Sequence, residues 1–179
     1  RCTGYRSIID AALTSSEHAE DDSFTLHYQQ TLQQLISFKS LRSAQLSNSQ
    51  HQYFAPKTVT ELADKLLANP KATLVAGGTD LALSVTQNLA TIEDLVYLGD
   101  VADLRSLEVN TNEFIIGSAL PYSDFMPTLH NEYHELGEMI ERIGSKQIRN
   151  NGTLGGNIGN ASPIGDMPPA LIALGAQVS

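Results

Sequence analysis

The chain has 179 residues, of which 41% are hydrophobic, so it is long enough to bury a core in one or two domains. Its formal net charge is −9, with 20 acidic and 11 basic residues, which argues against nucleic acid and anionic membranes as partners. No run approaches the roughly 18 apolar residues of a membrane span. The single cysteine, Cys2, excludes an internal disulfide framework and predicts a reducing compartment, the cytoplasm.

The first third of the chain predicts a short helix followed by a polar linker. Residues 1–13 indicate a turn and a helix, and residues 14–52 are rich in Ser, Gln, Asp and Glu. One helix is expected over residues 25–38. We therefore expect the end of one domain at residues 1–15, a linker at 16–52 and a compact domain at 53–179. Because the chain starts on Arg1 and ends after an apolar helical run, we expect it to be a fragment.

The compact domain alternates strand and helix patterns. Thr58 or Thr60 can cap a helix that ends before Pro70, and Pro121 can begin another. Apolar residues at helical spacing over residues 136–143 predict a further helix, and PPALIALGA begins a last one. Strands are predicted at 72–76 and 94–99, and a hairpin at 104–117. This mixture predicts an α+β or α/β fold.

A glycine pair separates a buried strand from a short helix in LVAGGTDL, residues 74–81. Successive backbone N–H groups in such a turn form a concavity that binds anions, and the helix N-terminus adds to it. Asp80 would repel a phosphate, so we expect its side chain to point outward or towards a ribose hydroxyl. The pattern matches neither GxGxxG nor the P-loop, and a plain tight turn is the alternative.

A second glycine-rich stretch, KQIRNNGTLGGNIGNASPIGDMPP, covers residues 146–169 and holds five of the 13 glycines. Its apolar residues have almost no periodicity, so we expect neither an ordinary helix nor a strand. Asn157 and Asn160 can donate amide N–H groups, Thr153 and Ser162 offer hydroxyls, and Asp166 can accept a hydrogen bond. The alternative is a mobile surface loop. We expect the two glycine-rich elements to cradle one large polar ligand together.

Two patterns of His, Lys and Arg residues suggest a metal site or a phosphate contact, but each has a simpler explanation. His130 and His134 lie four residues apart, but Asn131 stands where the metalloprotease motif HExxH requires Glu, so a solvated helix face is expected. Lys146 and Arg149 flank the second glycine stretch and are interpreted as surface charges outside the site.

Three segments together resemble one protein family. RCTGYRSI at residues 1–8 resembles the motif that closes the second [2Fe–2S] site of xanthine dehydrogenases. Residues 74–81 and 152–171 resemble the two FAD-binding signatures of the molybdenum hydroxylase flavoprotein domain, and all three segments occur in the family's order. The chain is therefore similar to the small, iron–sulfur and FAD subunit of bacterial xanthine dehydrogenases. The resemblance implies a vanillyl-alcohol-oxidase-like FAD domain preceded by the helical tail of a [2Fe–2S] domain.

The resemblance also implies which residues hold the cofactors. Residues 74–81 would wrap the FAD pyrophosphate with backbone N–H groups, Ile143 and Gly144 would touch the adenine portion, and Cys2 would be one of four thiolate ligands of a [2Fe–2S] cluster. The full set implied to contact FAD is Leu74, Val75, Ala76, Gly77, Gly78, Thr79, Asp80, Leu81, Ile143, Gly144, Thr153, Gly156, Asn157, Asn160, Gly165 and Asp166. No side chain is expected to act as a catalytic acid, base or nucleophile, because the cofactor performs the chemistry.

The activity implied by the resemblance is electron transfer within a hetero-oligomer. A partner subunit carrying molybdopterin would oxidise a purine, and electrons would pass through [2Fe–2S] centres to FAD and then to NAD⁺. One alternative is the FAD subunit of a related enzyme, such as an aldehyde oxidoreductase, carbon monoxide dehydrogenase or aromatic acyl-CoA reductase. A second alternative is a non-catalytic nucleotide-binding module.

Overall fold

A computed structural model describes residues 4–17, 22–38, 42–161 and 165–179, which fall into two compact units, Arg1–Leu41 and Arg42–Ser179. The first unit contains helices α1 (Tyr5–Glu17), α2 (Ser23–Leu26) and α3 (Tyr28–Phe38). Asp22 caps α2, because its carboxylate accepts the N–H of Thr25 at 2.7 Å. None of the residues described in these three helices is buried.

The second unit begins with a four-stranded sheet in the order β1-β2-β4-β3. Its elements are β1 (Ala44–Ser47), β2 (Gln52–Ala55), α4 (Val59–Ala68), β3 (Thr73–Val75), α5 (Leu81–Thr86) and β4 (Asp94–Tyr97). Strand β1 is antiparallel to β2, whereas β2 and β3 both run parallel to β4. The carboxyl ends of the three parallel strands therefore share one edge of the sheet, which is where open α/β sheets bind ligands.

The rest of the second unit is a hairpin followed by helices. A 3₁₀ turn at Ala102–Arg105 leads into β5 (Leu107–Val109), which pairs with β6 (Phe114–Ile116). The helices that follow are α6 (Tyr122–Glu132), α7 (His134–Glu141), α8 (Lys146–Arg149), α9 (Leu154–Gly159) and α10 (Met167–Ala173). Their buried side chains form one cluster: Leu120, Tyr122, Phe125, Leu129, Ile140, Leu154 and Met167. Residues from α6, α7, α9 and α10 are thus packed around one core.

Local sequence explains where α4 begins. The hydroxyl of Thr58 accepts the N–H of Glu61 at 3.2 Å, and the Glu61 carboxylate accepts the N–H of Lys57 at 2.7 Å. This reciprocal pairing satisfies backbone donors that the first turn of a helix leaves without partners. The predicted cap at Thr58 is therefore confirmed.

Two sequence-based expectations differ from the structure. Residues 44–47 lie within the predicted linker, yet they form β1 and pair with β2, so the sheet begins nine residues before Tyr53. The glycine-rich stretch was expected to hold no ordinary helix, and this was wrong, because it contains α8 and α9. Each short helix starts at a capping hydroxyl, Ser145 or Thr153, which accepts an N–H from the first turn. In the described ranges, no helix combines the length and apolarity needed to cross a membrane.

Candidate functional site

The first glycine loop follows β3 at the ligand-binding edge of the sheet. Gly78 has φ +69°, a left-handed conformation that side chains disfavour, and it turns the chain into α5. The N–H of Ala82 donates to the carbonyl of Gly78 at 2.9 Å, whereas no acceptor in the described part of the chain receives the N–H groups of residues 77–81. Five successive N–H groups therefore have no partner among the described residues, and a run of free N–H groups favours an anion.

The two glycine-rich elements meet through backbone contact. A Cβ atom on Gly77 would lie 1.8 Å from the carbonyl oxygen of Asn151, so only glycine permits this approach. A Cβ on Gly152 would lie 3.5 Å from both the Thr79 hydroxyl and the Tyr122 ring. The turn after β3 is therefore packed directly against the residues that lead into α9. The two glycine-rich loops therefore lie next to each other, as the sequence predicts.

Polar groups in the first turn of α9 make hydrogen bonds to other groups of the protein. Thr153 is 4% exposed, and its hydroxyl accepts the N–H of Gly156 at 3.0 Å. The N–H of Gly155 donates to the carbonyl of Ser118 at 3.0 Å, and a Cβ on Gly155 would lie 2.5 Å from that oxygen. The first turn of α9 is thereby fixed in place, and Thr153 and Gly156 contribute to the helix start.

In α9, the side chain of Asn157 has a polar atom without a hydrogen-bond partner. Its Oδ1 atom is buried and has no hydrogen-bond partner among the described residues, although its backbone N–H donates to the Thr153 carbonyl at 3.0 Å. A buried polar atom without a partner is costly, so such groups in native proteins usually meet a ligand or water. Asn157 thus has the character expected of a cofactor-binding side chain.

Ile143 and Gly144 form the turn before α8. Gly144 has φ +56°, and the guanidinium of Arg149 donates to the carbonyls of both residues at 3.1 Å. At the other end of α8, the N–H of Gly152 donates to the Ile148 carbonyl at 2.6 Å. Arg149, which the sequence left outside the site, therefore ties α8 to the turn that precedes it.

The remaining predicted residues lie around the ends of α9 and α10. Asn160 ends α9 and is exposed, and its N–H donates to the Gly156 carbonyl at 3.0 Å. Ser162 lies outside the described residues. Gly165 is half-buried, and Asp166 precedes α10 with an exposed carboxylate that makes no capping hydrogen bond. Leu74 and Val75 end β3, Ala76 leads into the first loop, and Asp80 is exposed.

Tyr122, which the sequence did not indicate, lies beside the junction. It is the first residue of α6, it is 2% exposed, and its backbone N–H donates to the Gly152 carbonyl at 3.0 Å. Its buried hydroxyl has no hydrogen-bond partner among the described residues. Burial and the charge of Asp166 raise the pKa of Tyr122 to about 12, so the hydroxyl remains a donor at neutral pH. The sequence showed only an aromatic residue after a helix-starting proline.

The described residues show no metal centre. They contain no group of three His, Cys, Asp or Glu side chains that could hold a metal ion, and Cys2 lies outside the described ranges. The rings of His130 and His134 pack edge to face with centroids 4.4 Å apart, and His134 lies 3.4 Å from the Glu138 carboxylate. Two shallow cavities of about 300 and 260 Å³ are lined by other residues than those of the glycine loops.

The fold and the glycine junction agree with the family to which the sequence aligns. Residues 47–179 match the family described as the FAD binding domain in molybdopterin dehydrogenase. The chain therefore belongs to this family, and its mixed α/β fold is that of the family.

Individual relatives come from several molybdenum enzymes. The chain is 31% identical to the nicotinate dehydrogenase FAD-subunit of Eubacterium barkeri, with 71% of this chain and 44% of that protein covered. It is 30% identical to xanthine dehydrogenase of Drosophila subobscura, over 81% of this chain and 12% of that protein. A solved carbon monoxide dehydrogenase from Hydrogenophaga pseudoflava superposes with a TM-score of 0.64 at 29% identity, covering 72% of this chain and 46% of that one. The chain thus spans less than half the length of each relative.

Proposed function

We propose that the chain carries the FAD-binding part of a molybdenum hydroxylase of the xanthine dehydrogenase type. The observation that carries the proposal is the junction at which the Gly77 backbone packs against Asn151, with five N–H donors in a row beside it. A diphosphate needs several donors that approach closely, and a loop without side chains at the contact provides them.

The residues present fit such a cofactor. The N–H groups of residues 77–81 would hold the pyrophosphate, and the side chain of Asn157 would supply a further polar contact from α9. Gly165 and Asp166 would lie nearer the adenosine half or the flavin edge, and Ile143 and Gly144 nearer the adenine. Thr153 and Gly156 would act by holding α9 in place, since their polar groups bond each other.

The charge of the chain is consistent with binding through the backbone. With a net charge of −9, the protein offers few cations to an anionic cofactor, and Arg149 is engaged with two carbonyls. Backbone dipoles bind an anion without a compensating side-chain charge. Asp80 is exposed and so can remain away from the phosphates.

When bound, FAD would supply the electron-transfer chemistry between [2Fe–2S] centres and NAD⁺. This chain's residues would position the cofactor and limit the access of water to it. Cys2 would be one cluster ligand, with the other ligands on residues outside this sequence. The molybdopterin would belong to a large partner subunit in a cytoplasmic hetero-oligomer, and that subunit would select the substrate.

The segment at residues 1–8 supports the xanthine dehydrogenase type. It resembles the motif that closes the second [2Fe–2S] site of xanthine dehydrogenases, and it precedes the FAD-binding domain in the order expected of that type.

The proposal is tested on the purified full-length complex. We expect flavin absorbance at about 450 nm that dithionite bleaches, and reduction of NAD⁺ when xanthine is added. A complex without flavin would contradict the proposal as a whole. A complex that contains flavin and oxidises nicotinate, an aldehyde or carbon monoxide, but not xanthine, would support the FAD-binding assignment. It would contradict the assignment to the xanthine dehydrogenase type.

A further inference from the structure

We infer that Arg149 is a positioning residue of the FAD site, which holds α8 in the orientation that keeps the Asn151 carbonyl against Gly77. This inference rests on the proposed function, because it concerns how the same site keeps its shape. Arg149 would act through backbone groups of its own protein, and it would touch neither the flavin ring nor the phosphates.

The first observation concerns the groups to which the guanidinium of Arg149 is bound. Its Nη1 atom donates to the carbonyl oxygens of Ile143 and Gly144, both at 3.1 Å, and it forms no ion pair with a carboxylate in the described ranges. Ile143 packs against the buried core cluster. A charged donor forms stronger hydrogen bonds to carbonyls than a neutral donor does. The last residue of α8 is therefore bound to a turn that is itself packed on the core.

The second observation is that α8 leads directly into the glycine junction. The N–H groups of Asn151 and Gly152 both donate to the Ile148 carbonyl, at 3.1 and 2.6 Å. The side-chain amide of Asn151 also donates to the Gln147 carbonyl at 3.0 Å, so this residue is tied to α8 by its backbone and its side chain. The Asn151 carbonyl oxygen would lie 1.8 Å from a Cβ atom on Gly77, so a small shift of α8 changes the distance between the two loops.

The orientation of α8 depends on the hydrogen bonds at its ends. This helix has four residues and none of them is buried, and so short a helix is not stable by itself. The Ser145 hydroxyl caps its start, and Arg149 binds the preceding turn from its end. Without the guanidinium, α8 and Asn151 would be free to shift. The N–H groups of residues 77–81 would then lose the neighbour that keeps them facing the pyrophosphate.

The test uses the full-length complex after removal of its flavin. Arg149→Met keeps the aliphatic stem and removes the donors, and we expect FAD binding about tenfold weaker, measured by quenching of flavin fluorescence. Arg149→Lys keeps the charge, but its ammonium does not extend as far, so it should also bind FAD more weakly than wild type. The matched control is Lys146→Met, which should bind FAD as wild type does. Lys146 lies on the same helix with the same charge, and its exposed side chain makes no hydrogen bond in the described part of the chain.

Hydrogen–deuterium exchange at saturating FAD separates positioning from a general loss of stability. In Arg149→Met, the peptide covering residues 77–81 should exchange faster than in wild type, while the peptide covering β5 and β6 is unchanged. Faster exchange of both peptides would show a general loss of stability and would overturn the inference.

The affinities provide the other decisive outcomes. Wild-type FAD affinity in either Arg149 variant would overturn the inference while the proposed function stands, and Arg149→Lys alone decides if Arg149→Met does not fold. Equal losses in Arg149→Met and Lys146→Met would also overturn it, because they would assign the effect to charge alone. A wild-type complex that binds no FAD would instead remove the proposed function.

Discussion

Gly77 is the residue at which the two halves of the candidate site touch. A methyl group there would overlap the Asn151 carbonyl oxygen at 1.8 Å, and this oxygen is a backbone atom that cannot turn aside as a flexible side chain could. Gly152 is less crowded, because a Cβ there would lie 3.0 Å from the Ile148 carbonyl oxygen and 3.5 Å from the Thr79 hydroxyl and the Tyr122 ring. The missing side chain of Gly77 therefore sets the distance between the loops.

Replacing Gly77 with Ala should force the loops apart. We expect the free energy of unfolding to fall by about 1–3 kcal/mol, as overpacking against rigid neighbours usually does, and FAD retention to be lost. Urea denaturation and the flavin content of the purified complex measure the two effects. Gly159→Ala is the matched control, because no atom lies within 4 Å of its added Cβ, and its stability should change by no more than about 1 kcal/mol. Equal effects of the two variants would argue against the contact.

Tyr122 predicts a specific dependence of stability on alkaline pH. Its pKa is raised from 10.0 to about 12 in the folded protein, so between these values the folded state holds a proton that the unfolded state releases. The stability associated with this group is therefore full below pH 10 and decreases as the pH rises to 12. In the flavin-free complex, Tyr122→Phe should lose less stability than wild type over this range, by up to roughly 2 kcal/mol. Parallel curves for the two proteins would contradict the buried position of the hydroxyl.

At the scale of elements, the short helices of the glycine-rich stretch depend on their caps. Helix α9 contains three glycines, which disfavour helix, so its sequence alone gives no helical pattern. Thr153 supplies the missing stability by accepting the Gly156 N–H, and the Gly155 N–H is anchored to Ser118. This explains why periodicity failed to predict α9, whereas α4, with its regular apolar positions and Thr58 cap, was predicted.

The cap at Thr153 can be tested by two substitutions. Thr153→Ala removes the acceptor and should lower the free energy of unfolding by about 0.5–2 kcal/mol. Thr153→Ser keeps a capping hydroxyl and should lose less, since it deletes only the methyl group. Thermal unfolding of the flavin-free complex measures both. If serine were as destabilising as alanine, the loss would come from packing of the methyl group and not from the cap.

At the scale of the whole molecule, the sequence predicted the class of fold and the two glycine elements, and it missed how they are joined. The loop after β3 could be predicted because a glycine pair stands between an apolar strand and a helix, and a second glycine-rich stretch offered a partner for it. The approach of Gly77 to Asn151 brings together residues more than 70 positions apart, and no local pattern contains that information. Tyr122 was missed for the same reason, because an aromatic residue at a helix start shows nothing about where its hydroxyl points.

The first strand was missed for a different reason. Strand β1 has only four residues and is exposed along its whole length, so its AQLS sequence is too short and too polar to stand out from the surrounding Ser, Gln and Asn residues. It is held by pairing with β2 at the edge of the sheet, a contact made through the backbone. The polar composition around residues 44–47 indicates a linker, and the strand is identified only by its pairing in the tertiary structure.

The central claim is that backbone N–H groups of residues 77–81 hold the pyrophosphate of FAD. Hydrogen–deuterium exchange of the full-length complex, with and without its flavin, tests this claim most directly. We predict that the peptide covering residues 77–81 exchanges rapidly without FAD and is strongly protected with it, while the peptide covering β5 and β6 is unchanged. Stoichiometric FAD binding with no protection of residues 77–81 would contradict the claim.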